Sequence, residues 1–106
     1  MEDVIGRIKK EIEDNKVVIF MKGTPDAPRC GFSAATIQLL RSFPYPFKGV
    51  DILSDPEIRE NLPDYSHWPT FPQVFIDGKL VGGCDIMHEL RDSGELAQLF
   101  KEAFGK

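Results

Sequence analysis

The residues best suited to chemistry in this chain are Cys30-Gly31-Phe32-Ser33. A second cysteine at the fourth position of this motif would form a dithiol able to close a disulfide, but a serine stands there. A loop containing glycine and proline precedes Cys30, and an apolar pattern with helical spacing follows it. The N–H groups and the positive dipole end at a helix N-terminus favour a thiolate over a thiol. We therefore predict a reactive thiolate at position 30 that has no partner within its own motif.

A lone thiolate at Cys30 has two chemical uses. If it attacks a disulfide, an external thiol must release the mixed disulfide, because Ser33 has no sulfur with which to resolve it. Its lone pair could instead bind a metal. A third interpretation, a small buried apolar residue, fits less well, since glycine, proline and charge around Cys30 are typical of an exposed turn. Ser33 itself could be an ordinary serine in the first turn of a helix.

A second candidate segment is Trp68-Pro69-Thr70-Phe71-Pro72, which lies just before a predicted strand. A cis peptide bond before Pro72 would leave the N–H and C=O groups of Phe71 unpaired and directed outward. Such a segment can bind a peptide-like ligand by backbone pairing, as in strand addition. Because only about one X-Pro bond in twenty is cis, the segment taken alone is also consistent with a plain turn.

A third candidate segment is Gly82-Gly83-Cys84-Asp85. Its glycines allow a ligand to approach the backbone closely. Asp85 could cap its own helix or accept a hydrogen bond from a ligand ammonium group. Cys84 could be a small buried residue, a backbone donor to a ligand, or a distant redox partner of Cys30. These alternatives stay open at the level of the sequence.

Two cations complete the set of candidates. Lys22 ends a predicted strand where the Cys30 loop begins, whereas Arg59 lies within a predicted helix. Either could bind an anionic group of a ligand, and either could equally be a solvated surface charge. Its position makes Lys22 the stronger candidate.

Hydrophobic periodicity predicts the elements that must position these residues. Helices are predicted over residues 3–14, 30–43, 54–62, 85–90 and 96–104, and strands over residues 16–21, 47–51, 73–76 and 79–81. Asp77-Gly78 is a strong hairpin signal between the last two strands, and Ser54 and Glu57 have the spacing of a capping box. Two early parallel strands followed by this hairpin predict an α/β fold, with a mixed four-stranded sheet and helices on both faces.

Length and composition restrict the class of protein. A chain of 106 residues with 42% hydrophobic residues predicts a single domain, 1–106, around one core. A net charge of −4 argues against nucleic acid as a partner, and the longest aliphatic and aromatic run, Val17–Met21, is too short to cross a membrane. His67 and His88 have no metal-ligand spacing with either cysteine, so we expect no zinc site within one chain.

The cysteine content and the N-terminus bear on the compartment. Two cysteines are too few for a disulfide scaffold, which favours a reducing compartment. The acidic start Met1-Glu2-Asp3 fits neither a signal peptide nor an Arg-rich transit peptide. We therefore predict a cytoplasmic protein, with the mitochondrial matrix or another organelle as the alternative if a presequence has been removed.

Four motifs in order along the chain point to one family. They are Lys22-Gly23-Thr24-Pro25, Cys30-Gly31-Phe32-Ser33, Trp68-Pro69-Thr70-Phe71-Pro72-Gln73 and Gly82-Gly83-Cys84-Asp85. Together they resemble a monothiol glutaredoxin of the CGFS type, as found in bacteria and mitochondria, over nearly the whole chain. The resemblance implies one glutaredoxin domain with a thioredoxin-like fold and a cis Pro72, without the N-terminal thioredoxin-like domain of the multidomain members.

The resemblance also implies a glutathione site. By this resemblance, Lys22 and Arg59 contact the glycine-end carboxylate of glutathione. Thr70 and the Phe71 backbone pair with its cysteinyl portion. Gly83, Cys84 and Asp85 bind its γ-glutamyl end. The Arg59 assignment depends on its position in a helix, whereas the others depend on a motif.

In this family two protomers commonly bridge one [2Fe-2S] cluster through the active-site cysteine of each protomer and two glutathione thiols. Such a cluster requires four sulfur ligands, which two copies of Cys30 and two glutathiones supply. Half of these ligands are exchangeable, and this suits a carrier better than a permanent electron-transfer centre. We therefore expect a homodimer in the cluster-bound form, which delivers the cluster to iron–sulfur acceptor proteins.

Two other functions stay open. One is a glutathione-dependent oxidoreductase, at most a weak enzyme, in which Cys30 attacks glutathionylated proteins and free glutathione regenerates it. By family analogy, the long loop from Gly23 to Arg29 favours cluster carriage, because it is associated with glutathione placed poorly for disulfide exchange. The other is an interaction module with a BolA-like partner, which is compatible with cluster carriage.

Overall fold

The computed structural model describes residues 3–105, so the expectation drawn from the acidic start at Met1-Glu2 lies outside the described residues. Within that range the elements follow one another in the order α1 (Val4–Asp14), β1 (Val17–Met21), β2 (Gly23–Thr24), β3 (Ala27–Pro28), α2 (Gly31–Arg41), β4 (Lys48–Asp51), α3 (Pro56–Ser66), β5 (Gln73–Ile76), β6 (Lys79–Gly82), α4 (Cys84–Ser93) and α5 (Glu95–Phe104). None of the described helices has the length and apolar character that a membrane span requires.

The main sheet has the strand order β4-β1-β5-β6. β1 is parallel to β4, with Phe20 opposite Val50, and antiparallel to β5, with Ile19 opposite Val74. β5 and β6 form an antiparallel hairpin. Its turn residues Asp77 and Gly78 have φ values of 52° and 82°, in the left-handed region that Asp-Gly turns require. The predicted mixed four-stranded sheet is therefore confirmed.

Helices cover both faces of this sheet because β1 is apolar at every position and successive side chains point to opposite faces. Val18 and Phe20 pack with buried residues of α1 and α3, such as Ile8 and Leu62. The other face forms a second cluster with α2, α4 and α5, whose buried members include Ile19, Ile37, Met87 and Phe100. The sheet therefore lies between two packed layers of helices, and the candidate residues lie at the ends of its strands.

The loop from Gly23 to Arg29 contains a small antiparallel sheet of β2 and β3 that the sequence did not predict. Its turn is closed by the Ala27 N–H, which donates to the Thr24 Oγ1 at 3.1 Å. Two-residue strands are too short to produce a hydrophobic period, so periodicity cannot detect them. This β2–β3 hairpin packs against β4, where a Cβ placed on Gly49 would lie only 2.5 Å from the Pro25 ring.

The predicted capping box at the start of α3 is wrong. Asp55 is the N-cap, and its Oδ1 accepts a hydrogen bond from the Ile58 N–H at 3.3 Å. The carboxylate of Glu57 does not reach back to the cap but pairs with Arg7 of α1 at 2.7 Å. Ser54 and Asp55 are both good capping residues, and the sequence does not show which of them the helix uses.

Candidate functional site

The residues singled out from the sequence all line one cleft, with a volume of ≈ 660 Å³. They are Lys22, Cys30, Arg59, Thr70, Phe71, Gly83, Cys84 and Asp85. The cleft lies where β1 ends, where α2 and α4 begin, and where the chain enters β5. The fold thus brings together motifs that are far apart in the sequence.

Cys30 is the N-cap residue of α2, as the sequence predicted, and its side chain is partly exposed. The backbone N–H of Ser33 is the largest cause that lowers the pKa of the Cys30 thiol, and burial acts in the opposite direction without cancelling it. The Phe32 N–H, the Lys22 charge and the Ser33 hydroxyl lower the pKa further. The first turn of α2 therefore favours the thiolate, the form that acts as nucleophile and as metal ligand.

Ser33 is more than an ordinary first-turn serine. It is completely buried, with 0% of its surface exposed. Its Oγ accepts a hydrogen bond from the Lys22 N–H at 3.2 Å, which joins the start of α2 to the end of β1. The Lys22 C=O accepts from the Arg29 N–H at 2.8 Å and closes the base of the β2–β3 hairpin. Both backbone groups of Lys22 are therefore used to hold the loop that carries Cys30.

The Phe71–Pro72 peptide bond is cis, as expected. The pairing of β1 with β5 stops at Phe20 and Gln73, since the preceding residue, Pro72, has no N–H to donate. The backbone groups of Lys22 are bonded instead to Ser33 and Arg29. Within residues 3–105, neither the N–H nor the C=O of Phe71 takes part in a hydrogen bond. The cleft thus offers an unpaired backbone donor and acceptor side by side, which suits a peptide-like ligand.

The opposite wall is formed by the start of α4. Gly83 is its N-cap residue and provides no side-chain cap, so the interpretation of Asp85 as a capping residue is wrong. The first N–H groups of a helix have no acceptor within the helix and are available to a ligand. A Cβ on Gly83 would lie 3.1 Å from the Pro72 oxygen and 3.4 Å from the Trp68 Nε1, so this position has little room for a side chain.

Cys84 and Cys30 are both free thiols that line the cleft. The Nδ1 of His88 lies 2.7 Å from the Cys84 carbonyl oxygen and 3.6 Å from the Cys84 Sγ. Because a carbonyl oxygen can only accept, we assign the imidazole proton to Nδ1. His88 therefore donates towards Cys84 and does not remove its proton through this nitrogen.

The sequence analysis assigned no ligand contact to the apolar residues of the cleft lining, which include Phe32, Pro63, Trp68, Pro69, Pro72 and Ile86. Phe32 stands beside Cys30 with 62% of its surface exposed. Phe32 and Trp68 belong to motifs that the sequence did single out, so their positions could have been inferred. Pro63 and Ile86 lie inside helices and carry no signal of their own.

The comparisons with known proteins agree with this geometry. A glutaredoxin family profile matches residues 17–81. Glutaredoxin 4 of Escherichia coli (strain K12) is 49% identical over 106 residues, which cover 100% of this chain and 92% of the relative. The solution structure of reduced poplar apo GrxS14 is 46% identical, with a TM-score of 0.85 over 97% of this chain and 94% of that chain. The crystal structure of the buckwheat glutaredoxin–glutathione complex, with 24% identity and a TM-score of 0.82 over 92% and 86% of the two chains, shows the common fold alone.

These matches extend over nearly the whole chain and confirm the thioredoxin-like fold. Position 33, where a dithiol member would carry its second cysteine, is a serine. The chain therefore belongs to the glutaredoxin family, as a monothiol member.

Proposed function

We propose that the cleft binds glutathione, and that Cys30 together with the glutathione thiol holds a [2Fe-2S] cluster that is carried to acceptor proteins. The observation that carries this proposal is the shared cleft. The Cys30 thiol, whose pKa is lowered, two basic side chains and an unpaired backbone pair at Phe71 line one cavity of ≈ 660 Å³, within the range of small-molecule sites.

The chemistry of the cleft matches the chemistry of glutathione. Lys22 and Arg59 would hold the glycine-end carboxylate. Thr70 and the Phe71 backbone would pair with the peptide portion, as an added strand does. The N-terminus of α4, with Gly83, Cys84 and Asp85, would hold the γ-glutamyl end, where a carboxylate meets backbone N–H groups and an ammonium meets the Asp85 carboxylate.

The number of sulfur donors supports two copies of the chain in the cluster-bound form. Within the described residues no group of three or more His, Cys, Asp or Glu side chains is placed to hold a metal ion. One chain offers Cys30, and an iron–sulfur cluster takes four thiolates. Two copies of Cys30 and two bound glutathiones complete that number, which supports a glutathione-dependent dimer.

The second candidate function is disulfide exchange, which the lowered pKa of the partly exposed Cys30 favours. The Cys30 thiolate would attack the glutathione sulfur of a glutathionylated protein and expel the protein thiolate. A second glutathione thiolate would then attack the Cys30–glutathione disulfide, releasing glutathione disulfide and the free Cys30. The cycle consumes one free glutathione, and the other half of the glutathione disulfide comes from the substrate, so no second protein cysteine is needed.

The compartment and the further partners are proposals from the sequence. A cytoplasmic location, with the mitochondrial matrix as the alternative, suits two free cysteines in a reducing environment. A BolA-like protein and iron–sulfur acceptor proteins are the proposed protein partners. Capture with cluster-bound protein, compared with capture by the glutathione-free form, tests both partners.

Reconstitution tests the leading proposal. The protein is incubated anaerobically with iron, sulfide and glutathione, and its visible spectrum and oligomeric state are recorded. We expect a chromophore and a dimer that both require glutathione, that are lost in Cys30→Ser, and that persist in the matched control Cys84→Ser. If neither chromophore nor dimer forms, cluster carriage is excluded. Deglutathionylation no faster than exchange with free thiol would exclude the second function.

A further inference from the structure

Gln73 is a buried polar residue at the edge of the cleft for which the proposed function gives no role. It is the first residue of β5, directly after the cis Pro72, and 0% of its surface is exposed. Its Nε2 donates to the Trp68 carbonyl at 2.9 Å and to the Thr70 carbonyl at 3.1 Å. The opposite orientation of the amide would place its oxygen against two carbonyl oxygens, so these contacts fix the amide orientation.

The two carbonyls belong to the segment that carries Thr70 and Phe71 into the cleft. Residues 68–72 have neither helical nor strand pairing. At the start of the segment, the Trp68 N–H donates to the Pro63 carbonyl at 3.3 Å. The Gln73 amide adds two hydrogen bonds, to the carbonyls of Trp68 and Thr70, and so fixes the segment beyond this first bond.

Stability alone is a poor explanation for this amide. The Gln73 Oε1 is buried without a hydrogen-bond partner among the described residues, as is the Trp68 Nε1. A buried polar atom that lacks a partner destabilises the folded state. A side chain that leaves half of its hydrogen-bonding capacity unused is better suited to fixing the shape of a segment than to stabilising the core.

We propose that Gln73 is a positioning residue for the ligand site, which holds the carbonyls of Trp68 and Thr70 so that the Phe71 backbone faces the peptide portion of glutathione. This inference rests on the proposed function of the cleft. Gln73 acts through Thr70 and Phe71 and leaves the environment of the Cys30 thiol unchanged.

Two substitutions separate positioning from a structural effect. Gln73→Met keeps the length and burial of the side chain but removes both donors. Gln73→Glu removes both donors while the carboxyl is ionised, and regains one O–H donor when it is protonated, which burial favours. We expect Gln73→Met at any pH, and Gln73→Glu wherever its carboxyl is ionised, to raise the glutathione dissociation constant about tenfold, as the loss of such hydrogen bonds predicts. The rate of Cys30 alkylation should not change.

The pH profile is the decisive measurement, made by NMR titration of the folded proteins with glutathione. On acidification the affinity of Gln73→Glu should recover towards wild type, whereas that of Gln73→Met should not. Ile12→Val, in the core between α1 and the sheet, controls for lost stability and should bind glutathione normally.

Wild-type affinity in Gln73→Met, or no recovery in Gln73→Glu, would overturn the positioning role. If wild type itself binds no glutathione, the proposed function fails instead. In that case the inference stands or falls on the NMR order parameters of Thr70 and Phe71, which should still decrease in Gln73→Met.

Discussion

The buried hydroxyl of Ser33 accepts a hydrogen bond from the Lys22 N–H at 3.2 Å. This contact joins the strand that ends at the cleft to the helix that begins there. The same residue contributes the backbone N–H that does most to lower the pKa of Cys30. Ser33, which stands where a resolving cysteine would be, thus connects β1 to α2 and also lowers the pKa of Cys30.

Replacing Ser33 by alanine removes the acceptor for the Lys22 N–H and the hydroxyl near Cys30, but keeps the backbone N–H. We expect the pKa of Cys30 to rise yet to stay below that of an ordinary thiol, because the largest cause of its lowering persists. The free energy of unfolding should fall by about 1–3 kcal/mol, as for a buried donor left unpaired. The pH dependence of alkylation and urea denaturation measure these two quantities.

Ser42→Ala is the matched control for this variant. Ser42 lies at the other end of α2, where its hydroxyl donates to the Leu39 carbonyl. Its removal should leave the pKa of Cys30 unchanged. A Cys30 pKa in Ser33→Ala equal to that of wild type would show that the hydroxyl does not act on the thiolate.

Asp51 gives the fold a dependence on pH. Burial raises the pKa of its carboxyl, but hydrogen bonds from the Leu53 and Gly23 N–H groups, with further ones from Ser54, outweigh burial and lower the pKa overall. A carboxyl with a lowered pKa in the folded state contributes stability above its unfolded pKa, which is about 4. That contribution is lost as the pH falls through the lower, folded-state pKa.

Asp51→Asn keeps an oxygen acceptor for both N–H groups but loses the charge. We expect its free energy of unfolding at neutral pH to be about 1 kcal/mol lower than that of wild type, because charge-assisted hydrogen bonds are stronger than neutral ones. The difference should shrink on acidification below about pH 4. Urea denaturation at several pH values measures it, and Asp26→Asn, in an exposed ion pair with Arg41, is the control. A difference that is constant with pH would contradict the role assigned to this carboxyl.

The main sheet and the membership of the cleft were predictable because the informative motifs stand at the ends of elements. A continuous apolar run marks β1, an Asp-Gly turn marks the β5–β6 hairpin, and the cysteine and glycine motifs precede helices. In a sheet of known strand order these ends converge, so their proximity follows from the topology. Distances and pairings within the cleft do not follow from it.

The roles of Ser33 and Gln73 could not be predicted for a different reason. Polar residues are mostly exposed, and nothing in the sequence distinguishes these two as completely buried. Their burial depends on which backbone groups are left unpaired after the strands and helices have formed. Those groups, the Lys22 N–H and the Trp68 and Thr70 carbonyls, are known only from the assembled structure.

Gly83→Ala tests the close packing behind the γ-glutamyl end of the proposed site. Its Cβ would lie within 3.1 Å of the Pro72 oxygen, so the wall must move. We expect a loss of about 1–3 kcal/mol in the free energy of unfolding and weaker glutathione binding, measured by denaturation and by calorimetry. Gly31→Ala is the control, since nothing lies within 4 Å of its added Cβ. If the two variants have the same free energy of unfolding and the same affinity for glutathione, the packing behind Gly83 has no effect on stability or binding.

Arg59 is assigned to the proposed glutathione site from its position in a helix and not from a motif, and a charge-neutralising variant decides its role. Its side chain lines the cleft but is exposed, so its attraction for a carboxylate is weakened by solvent. Arg59→Gln should raise the glutathione dissociation constant about two- to fivefold at low ionic strength, and the effect should diminish with added salt. Arg91→Gln removes another exposed charge, at the far end of α4, and should leave binding unchanged. If the two variants bind glutathione alike in calorimetric titrations, Arg59 is a solvated surface charge, and Lys22 is left as the cation that holds the carboxylate.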